Sequence, residues 1–191
     1  AIILVNISGR GDKDLESVAR ALETSAHVSN LPQPSRRSRL SMPSLAPQRV
    51  LPAGEARITR AFDVARALHR PAIIPYFPLG YPSLGTSLDV IEALAQAGAD
   101  LIELGIPFSD PLADGPTIQQ ASQIALAQGM SVPTALEMTR QLRQQGVQQP
   151  CLFMSYLNPL LAYGLEAFIR DASRAGIDGL IIPDLPLEES I

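Results

Sequence analysis

Three carboxylates lie close together in one stretch of the chain, between Leu101 and Thr117. Glu103 interrupts an apolar run that is typical of a buried strand, and Asp110 and Asp114 follow in a loop rich in proline and glycine. Burying an ionised carboxylate without partners costs free energy, so a glutamate in such a strand needs either a partner or a chemical role. Two carboxylates in different surroundings can divide the roles of acid and base between them. The stretch is therefore a candidate site for general acid–base catalysis.

Strand alternation places Glu103 on the same face as Leu101 and Gly105, whereas the opposite face is wholly apolar. We expect Asp114 to face a ligand from the adjacent loop, and Asp110 is more typical of a turn. The alternative interpretation is structural: a glutamate satisfied by a neighbour, and aspartates that form Asx turns or cap the next helix. The spacing alone does not separate the two interpretations.

The elements that must position these carboxylates alternate between strands and helices. Segments at helical spacing lie between short apolar runs, which predict strands at 72–77, 101–106, 151–156 and 179–183. Strands this apolar indicate a parallel sheet covered by helices, either a doubly wound sheet or a β/α barrel. Tyr76, Tyr156 and Asp184 lie near the carboxyl ends of these strands, where parallel sheets bind ligands.

Composition and charge narrow the classes of function. The 191 residues are 46% hydrophobic and 18% charged, which is typical of a globular protein. A net charge of -4 provides no attraction for nucleic acid, and no apolar run is long enough to suggest a membrane span. The single cysteine, Cys151, cannot form an intrachain disulfide, so we expect a reducing, cytoplasmic location. A small-molecule or protein partner is therefore expected.

Three segments differ in character. Residues 1–23 predict a short β-turn-α fragment, 24–56 predict a disordered linker rich in proline, serine and arginine, and 57–191 hold the β/α pattern. The linker could instead act as a basic docking arm. The pattern contains about four strands, roughly half of the 250 or so residues of a complete eight-stranded barrel. Because the chain starts directly in a strand and shows no closing helix, we expect it to be cut at both ends.

The stretch from Glu103 to Gln119 resembles the signature Glu-Leu-Gly-(Ile/Val)-Pro-Phe-Ser-Asp-Pro-Leu-Ala-Asp-Gly-Pro-Thr-Ile-Gln of the tryptophan synthase alpha subunit family. The likeness runs from about Arg57 onwards and includes Pro75-Tyr76-Phe77, Leu79-Gly80-Tyr81-Pro82, Tyr156-Leu157-Asn158-Pro159 and Ile182-Pro183-Asp184-Leu185-Pro186. It implies a partial (β/α)8 TIM barrel and a lyase of tryptophan biosynthesis. The reaction would be retro-aldol cleavage of indole-3-glycerol phosphate to indole and glyceraldehyde 3-phosphate.

The resemblance also implies roles for individual residues. Glu103 falls on the glutamate that protonates the indole ring carbon and helps to take the proton from the glycerol hydroxyl. Asp114 falls on the aspartate that acts on the indole N–H, a role that suits an exposed anion. Positions that line the indole pocket in the family are occupied by Tyr76, Met154, Tyr156 and Ile181. Pro107 and Asp110 fall in the loop that communicates with the beta subunit, and no metal site is implied.

Residues 1–23 carry a second resemblance, to the extreme C-terminus of the tryptophan synthase beta subunit. In that family Ser8 would hydrogen-bond the pyridine nitrogen of pyridoxal phosphate. The Schiff-base lysine would lie upstream of Ala1, so we expect no cofactor here, because pyridoxal phosphate belongs to the beta subunit. The arrangement implies a beta-to-alpha fusion, with a beta subunit as partner in an alpha2beta2-type complex.

Two further expectations concern activity. Barrel enzymes commonly hold a substrate phosphate with loops after strands seven and eight, whereas this pattern ends after its fourth strand, so we expect cleavage to be impaired in this chain alone. The alternative is a non-catalytic module that docks on and regulates a beta subunit through residues 107–116. Another phosphosugar barrel enzyme is a third possibility, but it would have no reason to need both Glu103 and Asp114.

Overall fold

The structure is a computed structural model that describes residues 53–185. The predicted β-turn-α fragment at 1–23 and most of the predicted linker at 24–56 lie outside the described residues. The elements in chain order are α1 (Ala53–Ala67), β1 (Tyr76–Pro78), α2 (Leu84–Gln96), β2 (Ile102–Gly105), α3 (Pro116–Ala127), α4 (Val132–Gln144), β3 (Cys151–Met154), α5 (Leu157–Tyr163), α6 (Leu165–Ala175) and β4 (Gly179–Ile181). Helix α1 includes the four residues that precede the predicted domain start at 57.

The four strands form one parallel sheet in the order β1-β2-β3-β4. A doubly wound sheet would reverse its strand order at a switch point, whereas here each strand pairs with the next strand in the chain. Consecutive parallel pairing with intervening helices is the arrangement of a β/α barrel. The prediction of about four barrel strands is confirmed.

The sheet has two differently packed faces. On its outer face, Ile102 and Leu104 of β2 belong to a large core that they share with helices α2, α4 and α6. On its inner face, a smaller cluster joins Leu101, Leu152 and Ile181 to Ile58 of helix α1. Helix α1 therefore packs on the inner face of the sheet, on the face that Glu103 shares.

The starts of helices α2 and α4 are stabilised by neighbouring residues, whereas the start of helix α5 is stabilised by a residue distant in sequence. Ser83 and Ser131 cap α2 and α4, each accepting a hydrogen bond from the backbone N–H three residues later. Helix α5 contains the pair Asn158-Pro159, which is more typical of a loop. Proline is tolerated in the first helical turn. The N–H of Leu157 donates to the carboxylate of Asp184, which comes from the loop after β4, 2.9 Å away.

A buried ionic cluster fixes the amino-terminal end of the sheet. Asp178, just before β4, has a fully buried side chain that lies 2.6 Å from Arg57 of α1 and 2.9 Å from Arg143 of α4. Its carboxylate also accepts the N–H of Cys151 at 2.9 Å. Arg143 donates further to the carbonyl groups of Gly176, Val147 and Gln149. This cluster joins two helices to two strands at the end of the sheet opposite to the candidate site.

None of the helices between residues 53 and 185 is long and apolar enough to cross a membrane.

Candidate active site

Glu103 lies in the middle of β2, on the inner face of the sheet. The register places it between Tyr76 of β1 and Leu152 of β3. The side chain is half-buried, and burial raises the pKa of Glu103 above its ordinary value. No charged partner opposes this shift, so the carboxyl group stays protonated to a higher pH than a glutamate in water. The apolar run that Glu103 interrupts is thus a strand, and burial favours the protonated form of its carboxyl group.

Asp114 lies in the loop after β2 and is linked to Tyr156 at the end of β3. Burial raises the pKa of Asp114, and a hydrogen bond with the Tyr156 side chain opposes the shift. The Tyr156 hydroxyl, which belongs to a residue only 2% exposed, accepts the N–H of Ala113 at 2.8 Å. Asp114 is half-buried rather than the exposed anion that we expected. Burial therefore raises the pKa of both carboxyl groups. They differ because only Asp114 has a hydrogen-bond partner, Tyr156, that favours its ionised form.

The capping interpretation of the loop aspartates does not hold. Helix α3 begins after Gly115 with no side-chain cap, and its first residue is Pro116. Asp110 is exposed and accepts a 2.5 Å hydrogen bond from the hydroxyl of its neighbour Ser109, as expected of a turn residue. Asp114 is thus free of a capping role.

Apolar side chains of the two strands beyond β2 extend the inner face beside Glu103. Met154 is paired in register with both Gly105 and Ile181, so these three residues form one layer just above Glu103 toward the carboxyl end. Ile181 is buried and Met154 half-buried. Tyr76, Met154 and Ile181 thus lie on one continuous surface with Glu103. Tyr156 follows at the strand end, where its ring packs 5.5 Å from that of Phe108.

The loop after β2 combines a buried start with an exposed tip. Pro107 is buried and lines an open apolar groove of about 440 Å³, together with Phe108, Met130, Pro133, Pro159 and Tyr163. Leu112, at the tip, is 88% exposed. Of the two predicted partner-contact residues, only Asp110 is therefore presented on the surface. Leu112, which the sequence did not single out, is the most exposed large apolar side chain in the described part of the chain.

Asp184, in the loop after β4, has a structural contact, since its carboxylate accepts the N–H of Leu157 at the start of α5. Among residues 53–185, no group of three or more His, Cys, Asp or Glu side chains is placed to hold a metal ion. The side chains that the site does bring together are carboxyl groups, tyrosines and apolar groups.

Comparison with known proteins identifies the family. The family model described as tryptophan synthase alpha chain matches residues 62–191. The alpha chain of Roseiflexus sp. (strain RS-1) is 53% identical over 135 residues, which cover 71% of this chain and 52% of that protein. The tryptophan synthase of Saccharomyces cerevisiae is 44% identical over 135 residues, which are 71% of this chain and 19% of that longer protein.

Solved structures agree with the fold. Tryptophan synthase subunit alpha from Legionella pneumophila str. Paris superposes with a TM-score of 0.68 at 40% identity, covering 70% of this chain and 51% of that chain. The aminoacrylate-bound tryptophan synthase of M. tuberculosis gives 0.66 at 42% identity, with 70% and 53% covered. The chain spans about half the length of the curated alpha chains that it matches. Its four strands are thus part of a TIM barrel, and the chain belongs to the tryptophan synthase alpha chain family.

Proposed function

We propose that the protein carrying this chain is a lyase that cleaves indole-3-glycerol phosphate to indole and glyceraldehyde 3-phosphate. The observation that supports this most is Glu103: a half-buried carboxyl group with a raised pKa, flanked by Tyr76 and lying one layer below Met154 and Ile181. Carbon protonation of an aromatic ring needs an acid that keeps its proton in an apolar place. Membership of the alpha chain family supports the same reaction.

In the proposed mechanism, the proton cycles through Glu103. Its carboxyl group protonates the indole carbon that bears the glycerol chain, which leaves the positive charge on the ring nitrogen. The resulting carboxylate takes the proton of the adjacent glycerol hydroxyl while the carbon–carbon bond breaks. The electrons of that bond return to the ring as indole leaves, and the hydroxyl carbon becomes the aldehyde. Glu103 ends the cycle protonated, so atoms and charge balance.

Asp114 would stabilise the charge that develops on the ring nitrogen. Its hydrogen bond with Tyr156 favours the anion, which is the form that attracts a cationic N–H. Tyr76, Met154, Tyr156 and Ile181 would enclose the ring. The reaction needs no pyridoxal phosphate: the alpha chain family does not itself carry this cofactor, which belongs to the beta subunit.

The test is replacement of Glu103 by its neutral isostere. Glu103→Gln should lower kcat for indole release by about 10³-fold, as expected when a general acid is lost. Glu137→Gln is the matched control, because Glu137 lies on helix α4 with its side chain 71% exposed and should leave kcat unchanged. Indole release by Glu103→Gln within tenfold of the parent protein would refute the assignment.

We further propose that residues 107–116 contact a tryptophan synthase beta subunit. The 88% exposure of Leu112 supports a partner at the loop tip, because a solvated leucine of this size gains free energy when it is covered. Asp110 is exposed on the same loop. A purely regulatory module would use this loop and leave Glu103 without a task, so the Glu103→Gln variant separates the two functions.

Binding of the loop can be measured by sedimentation with an isolated beta subunit. Leu112→Ser should weaken association at least tenfold, whereas Leu165→Ser, on the outer helix α6 and 41% exposed, should not. Equal association of both variants would exclude the loop tip from the contact. Retained association of Glu103→Gln without indole release would be consistent with both proposals together.

Finally, we infer a beta-subunit origin for residues 1–23 and a linker role for 24–56, from the sequence resemblance alone. The yeast relative supports the idea that alpha-type sequence occurs within a longer tryptophan synthase chain. Sequencing the coding region upstream of Ala1 tests this, since a beta-type lysine and phosphate-binding segment should precede it. We also propose a cytoplasmic location for the protein, which cell fractionation can check.

A further inference from the structure

Gly105 is a glycine for reasons of space and not of backbone conformation. It closes strand β2 on the inner face, two residues after Glu103, and it is not among the glycines with positive φ. A side chain would nevertheless not fit, because its Cβ would lie 2.6 Å from Cζ and 2.8 Å from Cε2 of Tyr76, and closer still to the hydroxyl. Carbon atoms in contact normally stay about 3.5–4.0 Å apart. Gly105 therefore leaves a notch that the Tyr76 ring fills.

The direction of the Tyr76 side chain follows from the register. Its backbone pairs with Glu103, yet its ring reaches forward to the level of Gly105. Gly105 pairs in register with Met154, which pairs with Ile181, so these residues form one layer of the inner face. In this layer the Tyr76 phenol occupies the space that a side chain at position 105 would fill. Burial raises the pKa of the Tyr76 hydroxyl, and the charges of Asp114, Tyr156 and Glu103 raise it further. The ring thus lies against Gly105, within range of the charges of both carboxylates, and forms one wall of the site.

We propose that Gly105 and Tyr76 are a specificity-determining pair: the absent side chain admits the phenol, and the phenol sets the width of the aromatic-ring site beside Glu103. This inference rests on the proposed function, because the ring in question is that of indole-3-glycerol phosphate. The three atoms nearest to an added Cβ at Gly105 all belong to Tyr76, so the two positions should be energetically coupled. A glycine needed only for packing would change stability without changing which ring is accepted.

The coupling can be read from a set of single and double variants. Gly105→Ala should lower kcat/KM for indole-3-glycerol phosphate at least about tenfold, because a displaced wall misplaces the ring. Tyr76→Phe in the Gly105→Ala background should not restore activity, since Cζ and Cε2 remain in the way. Tyr76→Leu lacks all three clashing atoms, so the double variant with Gly105→Ala should be no worse than Tyr76→Leu alone. Gly85→Ala is the matched control, because no atom lies within 4 Å of its added Cβ.

The specificity readout compares the substrate with an analogue methylated on the benzene ring. Tyr76→Leu should raise the ratio of kcat/KM for the methylated to the parent substrate about tenfold, since one methyl group in a shaped pocket is worth about 10–200-fold. Gly105→Ala in the presence of Tyr76 should not raise it. A ratio unchanged in Tyr76→Leu, or additive losses in the double variant, would overturn the proposal.

Binding of indole and methylindole by calorimetry separates this inference from the proposed function. If the parent protein binds indole but does not cleave the substrate, the proposed reaction fails while the affinity ratio still decides the role of the pair. If the parent protein binds no indole, the pair has no ring to select and the inference fails with it. Thermal unfolding of each variant identifies one that has not folded, and Tyr76→Leu alone then gives the decisive ratio.

Discussion

Replacing Asp178 should destabilise the protein far more than replacing an equivalent exposed aspartate. The Asp178 side chain is fully buried, whereas its partners differ: Arg57 is 40% exposed and Arg143 16%. Arg57 lies 2.6 Å from one carboxylate oxygen as an ion pair that is not aligned as a hydrogen bond. Burial raises the pKa of Asp178, while the Cys151 N–H and the two guanidinium groups oppose the shift. The carboxylate is thus expensive to bury and is held by three partners.

The magnitude for Asp178→Ala follows from what would remain. The Cys151 N–H would lose its buried acceptor, which costs about 1–3 kcal/mol. Breaking a buried ion pair from one side costs about 3–5 kcal/mol when the remaining charge has no other partner. Here Arg143 keeps its backbone carbonyl acceptors and Arg57 reaches water, so the ionic contribution falls below that range. We expect a total loss of about 3 kcal/mol.

Asp63→Ala is the matched control. Asp63 also pairs with an arginine, Arg66, at 2.7 Å, but both side chains are exposed. Such pairs contribute about 0–1 kcal/mol, and alanine favours a helix interior. Urea unfolding followed by circular dichroism should separate the two variants by about 3 kcal/mol at unchanged m. A difference below about 1 kcal/mol would refute the view that the ionic cluster around Asp178 stabilises the fold. The kcat should not change in either variant.

Three further predictions concern single side chains. Folding raises the pKa of Glu103, so the folded protein loses stability as pH rises from the pKa of Glu103 in the unfolded chain through its pKa in the folded protein. Glu103→Gln should therefore raise the melting temperature near pH 8 but not below about pH 4. Tyr156→Phe removes the acceptor of the Ala113 N–H and the hydrogen-bond partner of Asp114. The melting temperature should therefore drop and kcat should fall about tenfold. An unchanged kcat would exclude the hydrogen bond between Tyr156 and Asp114 from catalysis. Burial raises the pKa of Cys151 to about 11, so its alkylation by iodoacetamide at neutral pH should be at least ~100-fold slower than that of a free thiol, and rapid labelling of the folded protein would contradict this.

Local patterns in the sequence located the four strands, because each lies at an apolar run between helices. The first was placed too early, at 72–77, whereas β1 spans Tyr76–Pro78. Helix α5 was not predicted, since Pro159 is typical of a loop and the group that binds the helix start, Asp184, lies 27 residues away from Leu157. The buried state of Asp178 was equally invisible, because its partners Arg57 and Arg143 come from distant helices. Such long-range polar contacts have no signature in a short window of sequence.

In the candidate site, too, the local features could be predicted from the sequence and the long-range contacts could not. The alternation of β2 was sufficient to place Glu103 and Gly105 on one face. It could not show that Tyr76 leans across to the level of Gly105, because that contact depends on the register between β1 and β2. The hydrogen bond of Asp114 with Tyr156 was likewise not visible in the sequence, because Tyr156 follows the next strand.

The two ends of the sheet place opposite demands on stability. At the amino-terminal end, the charge of Asp178 is matched by two guanidinium groups, so any substitution there should lower stability and leave the chemistry intact. At the carboxyl end, burial raises the pKa of Glu103 with no cation to oppose it, so removal of that charge should raise stability and abolish the chemistry. Opposite signs of the stability change would therefore separate a carboxylate held by cations, Asp178, from a carboxyl group buried without one, Glu103. Loss of kcat on replacement of Glu103, with kcat retained on replacement of Asp178, is what would identify the reactive group.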